Sequence, residues 1–306
     1  MPTSYGALLD ALRGVRWPAR RNVAAGAPGA HRSSQRGTAG EFTEYRLYRQ
    51  GDDPRALDWK LLARSDRAFV RLTDDRAVLP TWLLVDASAS MAFPSADAAD
   101  SKWAIARAFT VGLAAIAHGG GDPVGMLVAT ASGDQAMPAR TRRGTVTAIA
   151  GLLDAVRCEG RVALAPLLAR VPSTARIVIV SDALGDDEAQ RQMAAPLIAG
   201  GASLLYVHVV AAGEVDPGVS TFRARDPEAR HSEVRQPASQ HPEVRSPTSI
   251  YRAADREAYQ QAFSAFRADV ADQWRRLGAS YGEVRTDEDL PHAIRRLIAT
   301  MLGGPS

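Results

Sequence analysis

The run Trp82-Leu83-Leu84-Val85 stops at Asp86, and Ala87-Ser88-Ala89-Ser90-Met91 follows, so an apolar stretch gives way to one carboxylate and two hydroxyls at alternate positions. Bounded by Pro80 and by small polar residues, this run reads as a short strand buried on both faces, as in a parallel sheet. A second β-branched run, Ile177-Val178-Ile179-Val180, ends the same way in Ser181-Asp182. Two acids thus stand at the carboxyl ends of two strands, where open α/β sheets hold their ligands.

Periodicity places the remaining elements. Further strands are expected over 124–129, 136–140 (a short edge strand), 203–210 and 280–285. Helices are expected over 102–117, 145–157, 164–171, 188–199, 251–277 and 290–302. Strands alternating with helices imply right-handed crossovers and a doubly wound, mostly parallel sheet. Residues 211–249 break the pattern, with Pro217, Pro227, Pro237, Pro242 and Pro247 among charged and small residues, and are too long for an ordinary loop. A small β excursion inserted at about 212–250 is expected there.

The amino-terminal part divides by charge. Residues 1–40 carry six arginines against Asp10, with a Gly-, Ala- and Ser-rich stretch over 22–40, and read as a basic flexible arm that opens with a short helix bearing Leu8, Leu9 and Leu12. Residues 41–78 mix charges and aromatics at a density unusual for a linker and are expected to pack on the core. The α/β domain then occupies 79–306.

Composition excludes several classes. Of 306 residues 46% are hydrophobic, enough for a substantial core. The single cysteine, Cys158, rules out an intramolecular disulfide or a Cys-based zinc site. Apolar runs such as 111–117 fall well short of the roughly 20 residues of a membrane span, and no signal-peptide pattern opens the chain. A cytoplasmic protein is expected. The basic arm lacks interleaved aromatics apart from Trp17 and any nucleic-acid fold signature, so no specific nucleic acid is expected. Lysine is confined to Lys60 and Lys102.

Asp86, Ser88 and Ser90 form an Asp-x-Ser-x-Ser loop, a hard-oxygen set suited to Mg²⁺ or Mn²⁺. Its spacing resembles the metal-ion-dependent adhesion site of von Willebrand factor A domains, with Asp182 as the acid from the later strand. The same residues also suit a plain turn, in which the serines cap a helix and Asp86 accepts backbone N–H groups.

A longer resemblance is carried by Glu41-Phe42, Tyr45-Arg46-x-Tyr48, Gly51-Asp52-Asp53-x-Arg55-x-Leu57-Asp58-Trp59-x-x-x-Ala63-Arg64 and the segment from Leu84 to Met91. Together these are similar to the bacterial family catalogued as domain of unknown function 58. The resemblance implies a von Willebrand factor A-like fold and, because many members are encoded beside MoxR-type AAA+ ATPases, a partner of that kind. In the family a Gly-Thr-Asp-Leu-like segment supplies a threonine ligand. Here Glu159-Gly160-Arg161-Val162-Ala163-Leu164 corresponds, and alignment on Leu164 puts Val162 at the threonine position. Arg161 beside it can pair bidentately with Asp86 and Asp182 and stand in for the ion.

The expectation is therefore a degenerate metal site of Asp86, Ser88, Ser90 and Asp182, binding Mg²⁺ or Mn²⁺ weakly or not at all. The expected function is a non-enzymatic protein-interaction module that works with a MoxR-type ATPase on the assembly or maturation of client proteins. The alternative is a Mg²⁺- or Mn²⁺-dependent hydrolase using Asp86 and Asp182. No residue is assigned a catalytic role otherwise: Gly-x-Ser-x-Gly and the phosphate-binding glycine motifs are absent, and His208, His231 and His241 lack metal-ligand spacing.

Overall fold

The computed structural model describes residues 5–18, 28–37, 41–49, 57–65, 67–94, 100–217, 222–225, 248–251 and 256–303. In chain order the elements are α1 (Gly6–Ala11), β1 (Pro28–Gly37), β2 (Glu41–Leu47), α2 (Trp59–Ser65), β3 (Phe69–Ala77), β4 (Thr81–Asp86), α3 (Lys102–Gly119), β5 (Val124–Ala129), β6 (Gln135–Arg140), α4 (Thr145–Ala155) and α5 (Ala165–Leu168). They continue with β7 (Arg176–Ser181), α6 (Asp187–Ala199), β8 (Ser203–Val210), α7 (Ala212–Val215), β9 (Phe222–Arg225), β10 (Thr248–Tyr251), α8 (Arg256–Arg276), β11 (Ser280–Arg285) and α9 (Leu290–Gly303).

Six strands make the central sheet in the order β11-β8-β7-β4-β5-β6. All neighbours are parallel except β6, which runs antiparallel to β5 at the edge. Counting strands within this sheet alone, the order is 6-5-4-1-2-3, the doubly wound arrangement whose order reverses between the first and fourth strands. Here those strands are β4 and β7. The sheet order and the antiparallel edge strand make this a von Willebrand factor A-like fold, as the family resemblance implies.

Each face of the sheet is covered. Val85, Met126, Val178, Val180 and Val207 pack with Phe109, Leu113, Ile149 and Ile294 on one side; Leu84, Ile177, Ile179, Leu204 and Tyr206 pack with Leu167, Val270 and Trp274 on the other. Burial on both faces explains why β4, β5 and β7 read as continuous apolar runs and not as alternating ones.

Two expectations are corrected at the amino terminus. Residues 5–17 are not part of a flexible arm, since Tyr5, Leu8, Leu12 and Trp17 belong to the first core cluster. The Tyr5 hydroxyl donates to Asp154 at 2.7 Å, and the buried Arg176 donates to the Trp17 carbonyl at 2.7 Å with its guanidinium 4.2 Å from the indole ring. β1, inside the glycine-, alanine- and serine-rich stretch read as part of that arm, pairs with β3. Arginine count misled here because burial of four large side chains outweighs the charge of their neighbours.

Residues 41–78 supply β2, α2 and β3. β1, β3 and β2 form their own antiparallel sheet, and α2 buries none of its residues. None of the described side chains over 45–78 joins either core cluster. Tyr45, Leu47, Tyr48 and Trp59 are exposed. α2 begins at Trp59 because Asp58 accepts the N–H groups of Lys60 and Leu61 at 3.0 and 2.9 Å. His231 and His241 lie outside the described residues. The expected β excursion is the antiparallel pair β9 and β10. Among the described residues, no helix is long and apolar enough to cross a membrane.

Candidate functional site

Asp86 closes β4, and Asp182 follows the last residue of β7. They therefore flank the point where the strand order reverses, the position at which doubly wound sheets open a ligand crevice. All four residues read from sequence as ligands are buried: Asp86, Ser88, Ser90 and Asp182. The pairing of Val85 with Val180 puts the next residues, Asp86 and Ser181, side by side, and the Ser181 hydroxyl donates to Asp86 Oδ2 at 2.6 Å.

The loops around them are tied together by backbone bonds. Ala89 N–H donates to the Gly160 carbonyl, and Glu159 N–H to the Ala87 carbonyl. Residues 88–92 form a tight turn that includes a 3₁₀ segment, Ala89–Ala92. Ala183 sits in the left-handed region, at φ +60°, and its N–H reaches Ser181 Oγ at 3.2 Å. That conformation costs a non-glycine residue on the order of 1 kcal/mol, and it turns the chain directly behind Asp182.

Every oxygen of the four-residue set has a donor or partner within this chain. Asp86 Oδ1 accepts the Ser88 N–H at 2.8 Å and Oδ2 accepts Ser181. Asp182 Oδ1 accepts the Leu184 N–H at 3.2 Å. Ser88 Oγ and Ser90 Oγ bond each other at 3.0 Å. Asp182 Oδ2, the remaining carboxylate oxygen, lies 2.6 Å from the ammonium nitrogen of Lys102.

Lys102 is the residue that sequence reasoning missed. Its Nζ bonds both Asp182 Oδ2 and Glu214 Oε1, the latter at 2.7 Å, and only 1% of its side chain is exposed. Glu214 is held from behind, its Oε2 accepting the Ala211 N–H at 2.8 Å. Lys102 opens α3, whose start is fixed by Ser101 Oγ accepting the Ala104 N–H, while Lys102 N–H donates to the Phe93 carbonyl. The available signal was its rarity: one of two lysines in the chain opens the helix after the Asp-x-Ser-x-Ser loop.

The electrostatics follow from burial. Asp86 is pushed up to about 6 by loss of water and then by the negative charge of Asp182, against the pull of Ser181 and Ser88. Burial pulls the Lys102 ammonium down, but Asp182 and Glu214 outweigh it and hold it above the usual lysine range. Burial, then the charge of Asp86, pushes the Cys158 thiol up, so it stays a thiol. Below Ser181 lies Tyr206, fully buried, whose hydroxyl is likewise raised by burial.

Val162, at the expected threonine position, packs against the second core cluster, and Arg161 on the same loop is exposed. Lys102 lies at hydrogen-bond distance from Asp182. A divalent ion does not fit this arrangement while the Lys102 pair persists, because the ammonium already holds Asp182 Oδ2 and repels a second cation brought beside it. Among the described residues, no three His, Cys, Asp or Glu side chains come together as a set able to hold a metal ion.

A profile described as "Protein of unknown function DUF58" matches residues 44–258. An uncharacterized protein of Mycobacterium tuberculosis and another of Mycobacterium bovis are each 30% identical over 305 residues, with 97% of this chain and 90% of the relative covered. The chain belongs to the DUF58 family. In DUF58 terms the matched region contains β4, β7 and both acidic loops, while β11 and α9 complete the sheet and one covering layer beyond it. Solved structures similar to this DUF58 chain include an aerotolerance-related membrane protein from Bacteroides fragilis, at 15% identity and TM-score 0.43 with 73% of this chain and 98% of that one covered. The SpRpn10 VWA domain is another, at 10% identity and TM-score 0.40 with 75% and 100% covered. The fold assignment itself rests on the sheet order.

Proposed function

We propose that this DUF58 chain is a non-enzymatic protein-interaction module of the cytoplasm that docks a partner on its strand-end face, the partner being a MoxR-type AAA+ ATPase or that ATPase's client. The observation that carries the reading is the pair of large apolar side chains exposed on the two loops around the buried polar cluster: Phe93 at 42% and Leu184 at 50%. The Phe93 ring lies 5.9 Å from Lys102 Nζ, and Leu184 is the residue whose N–H caps Asp182. Two large apolar side chains left in solvent on adjoining strand-end loops support a docking face there. The choice of an ATPase partner rests on the family resemblance.

The hydrolase alternative has less support. Asp86 and Asp182 are 4% and 3% exposed and their oxygens are engaged by Ser88, Ser181, Leu184 and Lys102. A general acid or base has to reach its substrate's proton at hydrogen-bond distance.

The test is co-purification of the full chain with the MoxR-type ATPase of the same genome and with proteins bound to it, comparing wild type with Phe93→Asp and Leu184→Asp. Specific recovery that both variants lose is expected. Undiminished recovery with both variants contradicts the proposed face. A screen of phosphoesters and nucleotides with Mn²⁺ is expected to be flat, and metal-dependent turnover lost in Asp86→Ala would restore the hydrolase.

A further inference from the structure

We infer that the Lys102 ammonium is the resident cation of the strand-end site, a covalently tethered replacement for the divalent ion that an Asp-x-Ser-x-Ser loop with a second strand-end acid otherwise recruits. The inference concerns the protein alone and holds whichever partner the module takes.

Lysine is among the residues least often buried, and an ammonium taken out of water without partners is heavily penalised. Lys102 is nevertheless enclosed, and its burial is matched by two carboxylates at 2.6 and 2.7 Å, the short range of charge-assisted bonds. Two features show that the position is built. The backbone before it is fixed by the Ser101 cap and by the bond to Phe93, and Glu214 is oriented by the Ala211 N–H before it meets the ammonium. Glu214 has no counterpart in the adhesion-type ligand set. It comes from the turn after β8, and it makes Lys102 the bridge between that turn and the loop after β7.

The chemistry of lysine suits the role better than that of arginine. A compact ammonium is a point charge with three donors in free rotation, close in shape to a small hydrated ion, whereas a guanidinium is a planar fork. In a chain with 37 basic residues, of which Lys60 and Lys102 are the lysines, the one that meets Asp182 is a lysine. A divalent ion would take an octahedron of oxygens. The carboxylate oxygens here are instead met by Ser88, Ser181, Leu184 and Lys102. Lys102 thereby offsets part of the carboxylate charge at all metal concentrations, and a partner's carboxylate has no metal shell to complete.

The test is a calorimetric titration of the full chain with MnCl2 and separately with MgCl2, with Tm recorded in each metal and in chelator. No saturable heat and one Tm under all conditions are expected. One-to-one saturable binding that raises Tm and disappears in Asp86→Ala overturns the inference. A Lys102→Met variant keeps the aliphatic stem and removes the charge, and its Tm is expected to fall by several degrees in metal-free buffer. A variant as stable as wild type also overturns the inference. If the variant does not fold, the wild-type titration decides alone.

Discussion

Lys102 Nζ and Asp182 Oδ2, 80 residues apart in sequence, meet at 2.6 Å beneath the carboxyl ends of β4 and β7 with neither side chain more than 2% exposed. Removing one partner of a buried pair leaves the other charge uncompensated, at a cost of about 3–5 kcal/mol. Lys102→Ala is therefore expected to lose that much in urea unfolding, leaving Asp182 and Glu214 facing each other. Glu214→Gln keeps an acceptor beside Lys102 and is expected to lose less, about 1–2 kcal/mol. Equal losses in the two variants would mean that Glu214, not Asp182, is the dominant partner.

Two buried groups near the site act in opposite directions with pH. His208 is pushed down to about 4 by burial, while its ring nitrogen Nδ1 bonds the Tyr281 hydroxyl at 2.8 Å and Glu283, itself paired with Arg267, stands beyond that hydroxyl. The unfolded chain then binds the extra proton, so this stability is present above the ordinary histidine value of 6.5 and is lost as pH falls toward 4. Asp86, raised from 3.8 to about 6, has the opposite sign, with the folded chain holding the proton and stability falling as pH rises from 4 to 6. Each shift is worth on the order of 3 kcal/mol. Wild type is expected to show a shallow profile between pH 4 and 6.5. Asp86→Asn is expected to unmask stability that rises with pH, and His208→Gln stability that falls. Parallel profiles for the two variants would contradict both assignments.

Trp17 ties the amino-terminal segment to the bottom of the sheet through Arg176, which also bonds Asp122 at 3.2 Å and Thr81 at 3.2 Å. Trp17 is 5% exposed. Trp17→Ala is expected to destabilise by about 3–5 kcal/mol, the range for a large aromatic removed from a core. Deletion of residues 1–17 is expected to cost at least as much. A truncated chain with an unchanged urea midpoint would restore the basic arm to the status of a solvated tail.

Gly282 on β11 lies under Leu297 of α9, so closely that a Cβ added there meets the leucine side chain. Gly282→Ala is expected to cost about 1–3 kcal/mol by overpacking, and Leu297→Ala in the same chain is expected to offset part of it. Simple additivity of the two losses in a double-mutant cycle would show that they do not touch.

The parts that could be read from sequence are those whose residues act locally. β5 and β8 fall on the residues that periodicity marks, because a strand buried on both faces leaves an unbroken apolar run. Asp86, Ser88, Ser90 and Asp182 were legible as strand-end and loop residues. Illegible were the contacts made across the fold. Lys102 meets Asp182 and Glu214 only after α3 and α7 are placed, and nothing in its own helix turn separates it from a solvated lysine apart from rarity. The amino-terminal segment failed for the same reason, since Trp17 is fixed by Arg176, a residue 159 positions away. α8 begins at Arg256, five residues after the onset suggested by its apolar stripe, since Tyr251 is spent in the β9–β10 pair.

Crystals of the full chain grown in MnCl2, measured at the manganese absorption edge, test the central claim most directly. Density for Lys102 Nζ within hydrogen-bond distance of Asp182 and Glu214, with no anomalous peak beside Asp86, Ser88, Ser90 or Asp182, is the predicted result. An anomalous peak coordinated by those residues, with the Lys102 side chain displaced from Asp182, would contradict it.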